Sequence, residues 1–342
     1  MYKKRQRMSF ANLGATILAA FVGAIVVPMP TQAQATIVNP ENRAVRDEAD
    51  RLLDLGYVQL KDGKPREAIK TWLYAIGYYR RVNDQSAISY TLARVSDAYE
   101  LMGAKNPAQD TTRQRIRYAN TLQDNGAKLE SSNNLVSFEI AQNKLEPAAK
   151  LNKETLELAL KNDQGLNTAI ALNSKGLISS RYGNHFAAIK LYYASIARYP
   201  LREAIGEGYV YVNSGDSLMA LDNYKAAIKD YGMALTIARQ YRNSPLMAFA
   251  SDRLIAAYLE VPNFYRIEEL LQNRSSLALV MGERETAAVV QRYLGDLYLS
   301  FGNLPKARAA YQESYDFAAM LEDTSSLPLW EAYYKLQELE RM

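Results

Sequence analysis

The sequence has no cysteine and a single histidine, His185, among its 342 residues. Without thiols there is no disulfide, no thiolate metal site and no cysteine nucleophile, and one imidazole cannot build a two-histidine metal set. Proline is scarce at 11 residues, and phenylalanine, at 8, is far outnumbered by 25 tyrosines. Long apolar runs are also lacking. Beyond residue 35 no stretch approaches the roughly 20 apolar residues of a membrane-spanning helix. What remains, 48% hydrophobic and 23% charged, is the composition of a folded chain rather than a disordered one.

The formal net charge of +4 has a local origin. Lys3, Lys4, Arg5 and Arg7 stand in the first 35 residues, which hold no acidic residue, so the rest of the chain balances at 37 basic and 37 acidic residues. A neutral body lacks the basic excess that neutralising phosphates requires, which argues against nucleic-acid partners. Residues 1–35 themselves read as an export leader. The basic start is followed by a 15-residue apolar stretch, Leu13 to Val27, and then by Ala33-Gln34-Ala35, the small-x-small pattern of a cleavage site. The expected location is periplasmic or secreted. The alternative is an uncleaved leader that holds the chain at the membrane; otherwise no membrane insertion is expected.

An internal repeat runs through the rest. Ala68, Ala108, Ala148, Ala188, Ala227, Ile267 and Ala307 recur at steps of 40, 40, 40, 39, 40 and 40. Twelve residues before each lies Gly56, Ser96, Val136, Gly176, Gly215, Ile255 or Gly295, and four after lies Trp72, Thr112, Asn152, Tyr192, Tyr231, Leu271 or Tyr311. Registers starting at 49, 89, 129, 169, 208, 248 and 288 cover residues 49–327, preceded by a linker and helix start at 36–48. In the last unit Val290, Leu294, Leu297 and Phe301 step by helical intervals. Gly302-Asn303-Leu304-Pro305 then breaks the helix, and Ala307, Tyr311, Ser314 and Ala318 form a second stripe. Each unit is thus expected to be an antiparallel helix pair. Asp84, Asp124, Asn243, Glu283 and Asp323 share one phase in polar turns between pairs. A lone helix over 328–342 would close the array, because a stacked repeat otherwise exposes an apolar end.

The segment Leu294-Gly295-Asp296-Leu297-Tyr298, followed by Gly302 and then Ala307-x3-Tyr311, resembles a tetratricopeptide repeat, as does Gly215 to Ala238. The 40-residue period resembles the longer subclass of kinesin light chain and the Leu-Gly-Asn repeat scaffolds, with extra length expected in the helix ends and the inter-repeat turn. The unit at 129 keeps little beyond Ala148, Leu156 and Ala159, and its assignment rests on phase. The resemblance implies an all-α, right-handed superhelical solenoid of about seven helix pairs plus a C-terminal capping helix.

No catalytic constellation is found, and no cofactor or metal is implied. His185 lies in a helix-start turn, Gly183-Asn184-His185-Phe186, without a nucleophile motif beside it. Gly206-Glu207-Gly208 lacks the strand and the third glycine of a dinucleotide loop. The expected function is therefore that of a non-enzymatic scaffold binding a protein or peptide segment in its concave groove. Carried over from the resembled family, the inner-wall places hold Tyr90, Arg94, Asp97, Asn133, Asn134, Ser137, Asn173, Arg181, Tyr209, Asn213, Asp216, Asp252, Arg253, Arg292 and Asp296. Amides can clamp a peptide backbone, and arginine can take a carboxylate with two bonds. The competing reading is self-pairing: Arg94 with Asp97 and Arg292 with Asp296 stand three and four residues apart on one helix. Tyr192, Tyr231, Tyr258, Tyr298 and Tyr311 are expected to serve packing rather than recognition. Two other functions stay open: an assembly element acting through its outer faces, including homo-oligomerisation, and an enzyme built on converging carboxylates.

Overall fold

The computed structural model describes residues 40–200, 203–321 and 327–341. The leader expected over residues 1–35 and the turn at Asp323 lie outside them. Regular structure among the described residues is all α-helical, and the helices fall into two compact units. The first unit holds α1 (Pro40–Lys61), α2 (Pro65–Arg81), α3 (Gln85–Leu101), α4 (Lys105–Leu122), α5 (Asn125–Ala141), α6 (Leu145–Lys161), α7 (Gly165–Arg181) and α8 (His185–Ile196). The second holds α9 (Ala204–Ala220), α10 (Tyr224–Gln240), α11 (Ser244–Glu260), α12 (Phe264–Val280), α13 (Arg284–Ser300), α14 (Leu304–Ala319) and α15 (Leu327–Glu340). These are seven helix pairs and a closing helix. Where the sequence has one phase throughout, the structure breaks after α8, which is 12 residues long against 17 for α7. Pro200 accounts for the early end, since it lacks an amide hydrogen and pushes Tyr199 away from helical geometry.

The 40-residue period has a simple origin. Helices of 17 residues alternate with turns of about three, and the turns within and between pairs close the same way. Lys64 N–H donates to the Gln59 carbonyl at 2.9 Å within the first pair, and Asp84 N–H donates to the Tyr79 carbonyl at 2.9 Å between pairs. This six-to-one bond is the Schellman closure, which needs a left-handed residue just before it. Gly63 (φ 74°) and Asn83 (φ 54°) supply it. Pro262 cannot, and α11 ends instead on Val261 at φ −120°. Within α1–α8 and α9–α14 the extra length of the repeat thus lies in the helices, and the turns between pairs are no longer than those within them. Between Ile196 and Ala204 the inter-repeat connection is longer, spanning residues 197–203. Asp84, Asp124 and Asn243 cap the following helices by accepting from Ala87, Ala127 and Leu246 N–H at 2.9–3.0 Å.

Within a pair, one slot sets how closely the two helices approach. At Gly176, Gly215 and Gly295 an added Cβ would stand 2.4–2.5 Å from a ring carbon of Tyr192, Tyr231 or Tyr311, and at Gly56 it would collide with Trp72. All four rings are buried. The same slot is filled in α3/α4 by Ser96 and Thr112, whose hydroxyls lie 2.8 Å apart. In α11/α12 it holds Ile255 and Leu271, and in α5/α6 Val136 and Asn152. The Asn152 amide nitrogen donates to the Ala171 carbonyl of the next pair at 3.0 Å, while its Oδ1 is buried without a hydrogen-bond partner among the described residues. The weak motif at 129 therefore hides a regular pair. The first helices of some neighbouring pairs touch directly, α5 with α7, α9 with α11 and α13 with α15, which sets their side chains side by side.

Candidate functional site

In the first unit, the first-helix face centres on α3. Tyr90 accepts a hydrogen bond from the Tyr57 hydroxyl of α1 at 2.7 Å, and the Arg94 guanidinium lies 5.7 Å from the Tyr90 ring centroid. Arg94 pairs with Asp97 at 3.2 Å on its own helix. Burial pushes the Asp97 carboxyl up against the pull of Arg94. Burial, with the Asp97 charge behind it, raises Glu100 to about 7. Farther along, Asn133 is buried at 2% exposure and donates to the Asn167 side chain of α7 at 3.1 Å, so it ties α5 to α7. Ser137 donates to the Asn133 carbonyl at 3.1 Å. Asn134 and Asn173 are half-buried, and Arg181 is exposed at the end of α7.

In the second unit the wall is cross-linked between helices. The Tyr209 ring of α9 and the Phe249 ring of α11 pack with centroids 6.4 Å apart. Asp216 on α9 accepts from Arg253 Nε of α11 at 2.8 Å, and the Arg253 guanidinium lies 4.8 Å from the Phe249 centroid. From behind, the buried Tyr231 hydroxyl of α10 donates to Asp216 at 2.7 Å. Tyr311 of α14 does the same to Asp296 of α13 at 2.7 Å. Burial and the neighbouring carboxylate raise both phenols, keeping them donors. Asp252 faces its own pair, bound by Arg274 Nε of α12 at 3.0 Å, and burial raises it to about 6 despite that guanidinium. Asn213 is half-buried on α9.

The two self-pairings are both present: Arg94–Asp97, and Arg292–Asp296 at 3.0 Å. Arg292 is further claimed by the closing helix, with Nε 2.8 Å from Glu331 of α15. Two contributors were not singled out from sequence. Phe249 occupies the second place of its unit, as Tyr90 and Tyr209 do of theirs, so the register itself carried that signal. Tyr57 supports Tyr90 from a place one unit earlier. Tyr192, Tyr231, Tyr298 and Tyr311 are at most 5% exposed, in line with packing, while Tyr258 is half-buried. Among the described residues no group of three or more His, Asp and Glu could hold a metal ion, and no helix is long and apolar enough to cross a membrane.

No protein-family model matches the chain, and no curated protein matches it in sequence. Solved structures match in fold. A signal transduction ATPase with numerous domains from Pyrococcus horikoshii, which has a tetratricopeptide repeat sensor, matches with a TM-score of 0.64 at 18% identity over 89% of this chain. The fold is that of the tetratricopeptide repeat. The chain spans about half of that protein, 47% of its length. The apo form of RapI matches with a TM-score of 0.59 at 13% identity, covering 85% of this chain and 99% of RapI. The Rap conjugation gene regulator of plasmid pLS20, solved in complex with the Phr* peptide, matches at 0.55 and 13% identity, over 92% of this chain and 81% of the regulator. Within this tetratricopeptide-type fold, the wall side chains named above sit on the first helix of each pair, braced by the second.

Proposed function

We propose that the chain is a non-enzymatic adaptor that holds a protein or peptide segment against the first-helix faces of its repeats. We further propose that it works outside the cytoplasm after export behind residues 1–35. The observation that carries the first reading is the bracing of the wall. Tyr231 and Tyr311 reach through their pairs to fix Asp216 and Asp296, so polar groups are oriented before any partner arrives. Such preorganisation lowers the ordering cost of binding. The structure of the pLS20 Rap regulator with a peptide is consistent with this use of the fold. A second reading, assembly through other faces, rests on Trp330, Tyr333 and Tyr334, which cluster on α15 at 41–63% exposure, and on Leu73 and Tyr74 exposed on α2.

The test is site-specific photo-crosslinking in the producing cell, with the reactive group at Tyr90 or Tyr209 on the wall and at Lys150 or Gln312 on the outer helices. Adducts at the wall sites and none at the outer ones are the expected result. The opposite pattern would replace the adaptor reading with the assembly one. Mass spectrometry of the purified chain checks export: the expected mature chain starts at Thr36.

A further inference from the structure

Asp216 and Arg253 form a pair with an unusual division of labour. Both protein bonds to Asp216, from Tyr231 and from Arg253, end on Oδ1. Oδ2 has no protein partner among the described residues, and the side chain is 40% exposed. Arg253 is held by Nε and by the Phe249 ring, whose centroid lies 4.8 Å from its guanidinium. Its terminal nitrogens make no hydrogen bond among the described residues, although its charge also acts on neighbouring Asp252, and the side chain is 28% exposed. The result is an oriented acceptor beside an oriented donor, with a formal charge of zero. Two other wall arginines differ: Arg292 is taken by Asp296 and Glu331, and Arg94 spends a terminal nitrogen on Asp97. Arg181 is exposed at the end of α7, with no wall aromatic or carboxylate against it among the described residues.

A residue in an extended chain shows its own N–H and C=O on the same side, as it does in the hydrogen-bonded pairs of an antiparallel ladder. That is the complement of an adjacent acceptor and donor. A ligand carboxylate at Arg253 would meet Asp216 on the same guanidinium, and a ligand ammonium at Asp216 would meet Arg253, so neither charge gains much. A neutral amide satisfies both. The Tyr209 and Phe249 rings, on the same two helices, offer an apolar shelf for a neighbouring side chain.

Resting on the adaptor reading above, we infer that α9 and α11 form a main-chain clamp for an extended, locally uncharged peptide segment. Its N–H goes to Asp216 Oδ2, its C=O goes to the Arg253 terminal nitrogens, and an aromatic or large apolar side chain beside the clamped residue rests on Tyr209 and Phe249. The ligand is an internal segment rather than a free C-terminus.

The probe is a phage-displayed library of random linear peptides panned on the full chain, with the best binder then made as a synthetic peptide blocked at both ends. The expected pool is rich in aromatic residues and poor in charged ones. N-methylation at one backbone position of that peptide should weaken binding about tenfold or more, since it deletes one donor and leaves Asp216 unmatched. Phe249→Ala and Arg253→Met should each weaken it about tenfold, with helical content and melting checked by circular dichroism. Should Arg253→Met misfold, the N-methyl scan on the unaltered chain still decides. A peptide pool that is charged, with affinity collapsing as salt rises, overturns the clamp. So does binding indifferent to Phe249, Arg253 and every N-methyl position, although the adaptor reading then survives. Failure to capture any peptide counts against both.

Discussion

The two units share one register and solve its central contact differently. In α9–α15 the slot between paired helices is glycine against tyrosine twice and isoleucine against leucine once, and buried hydroxyls end on the wall aspartates. In α1–α8 the outer pairs use glycine against an aromatic ring, but α3–α6 are stitched by polar groups. Ser96 meets Thr112 there, Asn152 reaches the next pair, and buried Glu139 accepts from Gln109 at 3.1 Å and Arg113 at 2.8 Å. The lesson is that the repeat demands a fixed helix–helix distance rather than a fixed residue. A polar seam meets that demand as long as its members bond one another. It also changes what the wall can do. In the second unit bracing from the core reaches Asp216 and Asp296. Among the described residues the first unit has it once, where buried Tyr79 donates to Asp50 of α1 at 2.6 Å, while Asn133 spends its amide nitrogen in linking α5 to α7.

The contrast can be broken most sharply at Gly215. Gly215→Val forces a Cβ into the Tyr231 ring and should cost about 3 kcal/mol or more, since the close helix contact cannot absorb it. Hydrogen exchange should show the loss confined to α9–α12, and an unchanged exchange pattern would refute the slot. Glu139→Ala attacks the seam instead. It leaves buried Gln109 short of an acceptor and should cost about 2 kcal/mol, read by denaturant melting with exchange localised to α4–α6.

The smallest effect is pH-linked. Burial raises Glu100 from 4.5 to about 7, so the folded unit binds a proton there more tightly than the unfolded chain does. Its contribution to stability is fully present below pH 4.5 and fades as pH rises through about 7. Glu100→Gln should therefore stabilise the first unit at pH 8 by about 1 kcal/mol, a figure reduced for partial exposure, and lose that advantage below about pH 5. An equal gain at both pH values would assign the effect to packing rather than to charge.

Much of the fold was legible in the residues. The recurrence of Ala68 through Ala307 marks positions that are all but fully buried. The fixed offset from Gly176 to Tyr192 reads in the sequence only as part of the repeat, and becomes a packing slot once the two helices are placed together. The break after α8 was visible only as a 39-residue step and as Pro200, whose effect on α8 needed the structure. The candidate site was less legible. Asn133 reads as a surface amide until α7 is placed beside it, and Arg292 as a wall arginine until α15 brings Glu331. Position within a repeat says which face a residue occupies but not what the neighbouring pair sets opposite it.

By itself the sequence determined the helix pairs, because apolar spacing, left-handed turn residues and caps act over at most a few residues along the chain. It also determined the period, which is helix length plus turn length. Only the tertiary structure decided which wall groups stay open. Asp216 meets Arg253 across 37 positions and Arg292 meets Glu331 across 39, and contacts at that range depend on how pairs stack. The approach of the helices within each pair is set by side-chain volume at slots such as Gly215–Tyr231, and the buried Tyr231 hydroxyl reaches Asp216 from there, so the site takes part of its geometry from the core behind it.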